Sequence, residues 1–255
     1  MAGRIVTLFP LDAVRNAASD QKWEPALQAV RDDLPEDILF GDIRAEDVRF
    51  AFDRSRARLN VLLQLIADIP GTGADISTGP GFLPAALRTI GREIVATELD
   101  PAMAVMVPEG VRVLPYRIGE PLPLPQESFD YLVFGEVLEH LKHPPVWAIS
   151  QFVPLLRRGG RFLLTTPNIA RRSNVEALVS GENFLEPFPE IVPDGADVTD
   201  FVEHVREYSV REVVDAMEGA GLEVRQVLMT DWGEAGYEPA PNPYSNGIIV
   251  VEAER

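Results

Sequence analysis

Cysteine is absent from this chain, which excludes disulfides, thiolate metal sites and thiol nucleophiles. Histidine is almost as scarce: there are three, so imidazole chemistry has to come from His140, His143 or His204. Basic residues are outnumbered, 23 Lys and Arg against 40 Asp and Glu, for a formal net charge of −17. A surface that acidic repels phosphate backbones and anionic membranes unless a local basic patch compensates, so nucleic-acid partners are disfavoured. Also lacking is any apolar run near the ~20 residues needed to cross a bilayer. Met1 to Pro10 has neither the basic start nor the apolar length of a signal peptide. A cytoplasmic protein with no membrane partner is expected. The 46% of hydrophobic residues in 255 is enough for one substantial core with additions.

What is present concentrates around Gly73-Ala74-Asp75-Ile76-Ser77-Thr78-Gly79-Pro80-Gly81-Phe82, with Glu98 closing the next apolar run. Ala74 to Ile76 reads as a short buried strand, and Gly-Pro-Gly forces a tight turn into a helix from about Phe82. Small residues let a ligand lie on the backbone, a helix start offers free N–H groups, and the later carboxylate can accept two ribose hydroxyls. Upstream, Trp23, Leu27 and Val30 are spaced as a short amphipathic helix that Pro35 ends. Arg44 to Asp68 reads as a longer one with Phe52, Leu59, Leu62, Leu63 and Ile66 on one stripe. From Thr72 strands and helices alternate, as in a parallel α/β sheet covered on both faces, with strands at Glu93–Thr97, Val111–Leu114, Phe129–Phe134 and Arg161–Thr166. Ser209-Val210-Arg211-Glu212 is a capping box, and Leu222–Thr230 with Gly247–Ala253 reads as an antiparallel pair at the sheet edge.

Asp75, Gly79 and Gly81 followed by Glu98 resemble motif I and the acidic loop of class I S-adenosylmethionine-dependent methyltransferases, with Ser77 where a first glycine is usual. Gly135 to Pro144 resembles that family's motif after strand four, and Leu155-Leu156-Arg157-Arg158-Gly159-Gly160 with the strand behind it resembles its Gly-Gly signature. The resemblance implies a doubly wound, seven-stranded, mostly parallel Rossmann-like sheet with an antiparallel last strand. It implies S-adenosylmethionine as cofactor, held by Asp75, Ser77, Gly79, Gly81 and Glu98, with Glu136 beside the methionine moiety. Ile118 stands where relatives often carry an adenine-binding aspartate, so backbone groups of Ile118 or Gly119 would replace it. Residues 1–70 form a helical N-terminal extension that serves as a lid, as core cover or as a homodimer surface. Residues 71–255 form the methyltransferase domain, with an acceptor-site insertion at about 168–208.

On a helix starting near Glu136, the residues Glu136, Glu139 and His140 share one direction, and His204 can supply a fourth ligand. Those four residues can hold a divalent metal ion; alternatively His140 or His204 is a catalytic base, or the Glu-His pair only caps and packs a helix. The Glu-x-x-Glu-His pattern with a downstream histidine is similar to that of metal-dependent methyltransferases acting on the terminal ribose of small RNAs, and to ubiquinone-pathway O-methyltransferases. His143 reads as a loop residue, and Asp200 as a group that could orient His204. The expected function is O-methylation of a small polyol-like or glycosyl acceptor. The alternatives are a terminal-ribose RNA methyltransferase, resting on Arg157, Arg158, Arg161, Arg171 and Arg172, and a non-catalytic cofactor-binding module.

Overall fold

The structure, a computed structural model, describes residues 9–18, 20–35, 45–185, 204–232 and 240–255. Its strands are β1 (Arg15–Asn16), β2 (Gly73–Asp75), β3 (Ile94–Glu98), β4 (Val113–Pro115), β5 (Phe129–Gly135), β6 (Leu156–Pro167), β7 (Glu223–Thr230) and β8 (Ile248–Glu254). The helices are α1 (Glu24–Asp32), α2 (Ala45–Ala67), α3 (Phe82–Thr89), α4 (Pro145–Ser150), α5 (Arg172–Val179) and α6 (Val210–Gly219).

These strands form one eight-stranded sheet in the order β1-β7-β8-β6-β5-β2-β3-β4. Among the described residues only β8 runs against its neighbours, antiparallel to both β6 and β7. The expectation of seven strands is corrected by β1, which pairs Arg15 with Leu228 and Asn16 with Met229 in parallel. Two residues carry no readable period, and Arg15 fixes itself there by donating from Nη2 to Gln226 Oε1 at 2.7 Å. The N-terminal segment is thus not purely helical, and β1 rather than the β7–β8 pair makes that edge of the sheet.

Alternation along β5 divides the core into two layers, since successive side chains leave opposite faces of a strand. Leu132 and Phe134 pack with Phe152, Phe162, Val213 and Met217, beneath α4 and α6. Tyr131 and Val133 pack on the other face with Leu27, Phe52, Leu62 and Leu87 of α1, α2 and α3. Phe52 meets Phe82 edge-on at 5.3 Å, so α2 is built into that layer. Each fully buried Leu or Phe contributes about 1.5–3 kcal/mol. Helix α6 opens on the expected capping box: Glu212 Oε2 accepts from Ser209 N at 2.9 Å and Ser209 Oγ from Glu212 N at 3.4 Å. Among the described residues no helix is long and apolar enough to cross a membrane.

Candidate functional site

Parallel strands deliver their carboxyl ends to one end of the sheet, and two of the left-handed non-glycine residues, Ser77 and Glu136, lie there. After β2, Ser77 takes φ 57°, Gly79 φ 56° and Gly81 φ 90°. The left-handed Ser77 explains why the motif usually has glycine at that position. At Gly81 a Cβ would lie 2.4 Å from Val107 Cγ2, so only glycine fits; at Gly79 it would meet nothing within 4 Å, leaving the backbone open to a ligand. The turn is tied to β3: Thr78 N donates to Thr97 O at 2.9 Å and Ser77 N to Thr97 Oγ1 at 3.2 Å. Glu98 Oε2 accepts from Gly79 N and its Oε1 from Leu99 N, both at 2.7 Å. Asp75 lies beneath the turn, where Thr78 Oγ1 donates to it at 2.6 Å. Burial pushes its carboxyl up to about 6, against the pull of Thr78 and Arg58.

Beside this turn is a cavity of about 190 Å³, lined by Arg58, Asp75, Ser77, Gly79, Phe82 and Glu136 among others. Sequence reasoning missed Arg58. It comes from α2, donates to Ser55 Oγ at 3.2 Å, and approaches within 3.1 Å of where a Cβ on Gly135 would be. The Ile118-Gly119 bend lies on the other side, Ile118 packed on the α4 layer and Gly119, at φ 100°, facing Trp147.

The expected helix from Glu136 is corrected: one 3-10 turn, Leu138–His140, follows β5, and Glu136 sits before it at φ 56°. The side chain of Glu136 lines the cavity and accepts from Thr165 Oγ1 at 2.9 Å. A left-handed non-glycine residue at a strand end is strain of the kind that collects at working sites. One residue further along β6, Thr166 Oγ1 donates to Glu139 Oε2 at 2.9 Å. Glu139 is 1% exposed. Burial, with the charge of Glu136, holds its carboxyl well above the ordinary range.

Glu139, His140 and His204 each offer a ligand atom, and these atoms lie within 4.8 Å of one another. The structure thus assembles three of the four expected metal-ligating residues and leaves Glu136 on the cavity side. The imidazoles of His140 and His204 meet edge-on, centroids 5.0 Å apart. His204 is brought there by its neighbours, because Val205 N and Arg206 N both donate to Glu139 O, at 2.8 and 3.2 Å. His143 stacks on Trp147 at 4.6 Å, apart from this pair. Asp200 lies outside the described residues.

The carboxylate next to His204 is Glu207, which sequence reasoning also missed; its only signal was the spacing His204-x-x-Glu207. His204 Nδ1 lies 3.4 Å from Glu207 Oε1. Arg171 Nη1 donates to both Glu207 oxygens at 2.7 Å, and Asn174 Nδ2 to Oε2 at 2.7 Å. Burial raises the Glu207 carboxyl, but His204, Arg171 and Asn174 outweigh it and hold the group below its usual range. Arg171 in turn lies over the Trp232 ring, as does Arg54 of α2, at 5.1 and 4.8 Å.

A β8-reversed parallel sheet with a glycine turn after β2 and an acid ending β3 is the class I S-adenosylmethionine-dependent methyltransferase fold. The chain belongs to the methyltransferase-domain family, whose model matches residues 48–227 and therefore begins inside α2. A probable S-adenosylmethionine-dependent methyltransferase of Mycolicibacterium smegmatis is 28% identical over 183 residues, 69% of this chain. The chain spans 61% of that relative's length. Among solved structures, a possible histamine N-methyltransferase of Thermotoga maritima matches with TM-score 0.56 at 22% identity, over 82% of this chain and 94% of that one. A geranyl diphosphate C-methyltransferase of Streptomyces coelicolor, in complex with Mg2+, its substrate and S-adenosyl-L-homocysteine, matches with TM-score 0.50 at 14% identity over 93% of this chain and 100% of that one. At these identities the structures share the fold.

Proposed function

We propose that the chain is an S-adenosylmethionine-dependent methyltransferase that methylates an oxygen of a small polyol-like or glycosyl acceptor in the cytoplasm. The observation carrying this is the His140–His204 pair, grouped with Glu139, whose carboxyl is near enough to the cavity-lining Glu136 to feel its charge. When bound, the donor supplies an electrophilic methyl group on a sulfonium. The chain's residues have to hold it, exclude water and take the acceptor's proton.

The residues present suit the donor. Each Glu98 oxygen accepts one N–H and, being a carboxylate oxygen, keeps a lone pair for a ribose hydroxyl. The open backbone at Gly79 leaves room for the sugar. Arg58 and Glu136 line the cavity, where the guanidinium would take the carboxylate end and Glu136 would lie by the methionine chain; backbone groups at Ile118 and Gly119, outside that lining, would meet the base. Helix α2, with Ala51, Ser55 and Arg58, forms the wall that closes this end. An aliphatic hydroxyl is a poor nucleophile at neutral pH, and a histidine at His204 or His140 removes its proton as the methyl transfers.

A divalent ion across Glu139, His140 and His204 is the second reading, favoured by their three convergent ligand atoms. A cation there would offset the cost of burying the Glu139 carboxylate beside Glu136. An RNA acceptor is disfavoured because the arginines of the expected basic track are mostly engaged. Arg157 pairs with Asp130, Arg161 with Glu254, Arg171 with Glu207 and Arg172 with Glu176.

The test is to incubate the protein with methyl-labelled donor and a small-molecule extract, and to identify the labelled product by mass spectrometry. An O-methylated polyol or glycoside, lost with His204→Gln, is expected. Label in nitrogen, carbon or RNA overturns the acceptor assignment, and no donor binding by calorimetry overturns the function.

A further inference from the structure

We propose that Glu207 is the positioning residue of His204: it holds the imidazole as the Nδ1–H tautomer and leaves Nε2 as the basic nitrogen. The proposal rests on the reading of His204 as the acceptor-side base.

The geometry fixes which group donates. Arg171 Nη1 donates to both oxygens of Glu207, and Asn174 Nδ2 to Oε2. Arginine and the amide nitrogen have only hydrogens to offer, so both carboxylate oxygens act as acceptors. The Nδ1 of His204 at 3.4 Å from Oε1 must therefore carry the hydrogen, and in a neutral ring the lone pair then lies on Nε2. A neutral histidine in water favours the opposite tautomer, so the environment has to impose this one.

Glu207 is built to impose it. Glu207 and Asn174 are each 2% exposed, so the carboxylate sits in a closed socket. Arg171 is held in turn against Trp232. Asn174 Nδ2 also donates to Ile169 O at 3.1 Å, while Ile169 N donates to Tyr208 O at 3.0 Å, closing α5 onto the 204–208 segment. Three hydrogen bonds from Arg171 and Asn174 pin the carboxylate plane, and the backbone of residues 205 and 206 is bonded to Glu139, so the ring is restrained from both sides. A carboxylate needed only to neutralise Arg171 would gain nothing from contact with the imidazole.

The tautomer is directly readable because the protein has three histidines. A long-range proton–nitrogen spectrum of the 15N-labelled protein, assigned with His143→Gln and His204→Gln, should show His204 protonated at Nδ1. In Glu207→Gln the amide oxygen is matched to Arg171 and Asn174 and the NH2 group faces His204, so this variant, like Glu207→Leu, should move the proton to Nε2. Methyl transfer to the extract acceptor should fall at least about tenfold in Glu207→Leu, as for lost carboxylate partners of histidine, with donor affinity unchanged. A wild-type spectrum with the proton on Nε2 overturns the proposal, whether or not any variant folds. If instead His204→Gln transfers methyl normally while the Nδ1–H tautomer is seen, the tautomer assignment stands and the reading of His204 as base fails.

Discussion

Glu98 and Gly79 are joined by a 2.7 Å hydrogen bond from the glycine N–H to Oε2 of the carboxylate, so the acid ending β3 also pins the turn after β2. On the proposed reading the same side chain shapes the floor of the donor site and would also take the sugar hydroxyls. Removing it should cost both roles: Glu98→Ala should weaken S-adenosylhomocysteine binding by about 10–100-fold, the equivalent of about one hydrogen bond to a charged group. Isothermal calorimetry reads this directly, and an unchanged affinity would place the ribose elsewhere.

Asp75 should make stability depend on pH. Its folded value is about 6 against 3.8 for the ordinary group, chiefly through burial. Between those values the folded protein holds a proton that the unfolded chain has released. The stability linked to that proton is fully present below 3.8 and is lost as pH rises through about 6. The shift corresponds to about 3 kcal/mol at 1.36 kcal/mol per unit. Asp75→Asn carries no such proton, so the melting temperature of wild type relative to Asp75→Asn should fall between pH 4 and 7. A constant difference across that range contradicts the burial argument.

Ser77 pays for a left-handed backbone that glycine adopts freely, at φ 57°. That strain is roughly 1–2 kcal/mol, partly offset in Ser77→Gly by the greater freedom of the unfolded chain. Thermal melts should show Ser77→Gly equal to or up to about 1 kcal/mol more stable than wild type. Ser77→Val should lose about 2 kcal/mol or more, because a β-branched residue fits that region worst.

How far the sequence carried can be judged at these same residues. The strand-turn-helix at Gly73–Phe82, the acid at Glu98 and the stripe of α2 were all readable, because local periodicity and glycine chemistry act over a few residues. Strand β1 was not: it exists only because Leu228 and Met229 offer an open edge far along the chain. Glu136 was placed on a helix because its spacing to Glu139 and His140 suits one, whereas tertiary pairing with Thr165 bends the backbone there instead. Glu207 and Arg58 gained their positions from α5 and from α2 packing, contacts that no short motif encodes.

Helix α2 carries both core and cavity wall, so loosening it should affect stability and binding together. Phe52 is fully buried and meets Phe82 edge-on. Phe52→Ala should cost about 3–5 kcal/mol in denaturant unfolding. Donor affinity should fall with it, since Phe82 and Arg58 line the cavity. Full stability in that variant would mean that α2 packs as a dispensable cover.

The three convergent ligands make a prediction that separates the two acceptor-side readings. Glu139 is the one carboxyl in the Glu139-His140-His204 group, and Thr166 fixes one of its oxygens. If an ion bridges the group, chelator-treated protein should bind Mn2+ or Zn2+ in calorimetry with a stoichiometry near one. Glu139→Gln should then weaken that binding at least about tenfold, since an amide replaces an anionic ligand and a hard cation prefers charged oxygen. Methyl transfer should disappear with chelation and return with the ion. If chelated protein transfers methyl at the full rate and binds neither ion, the histidines act alone, and the proton of the acceptor hydroxyl goes to imidazole with no metal involved.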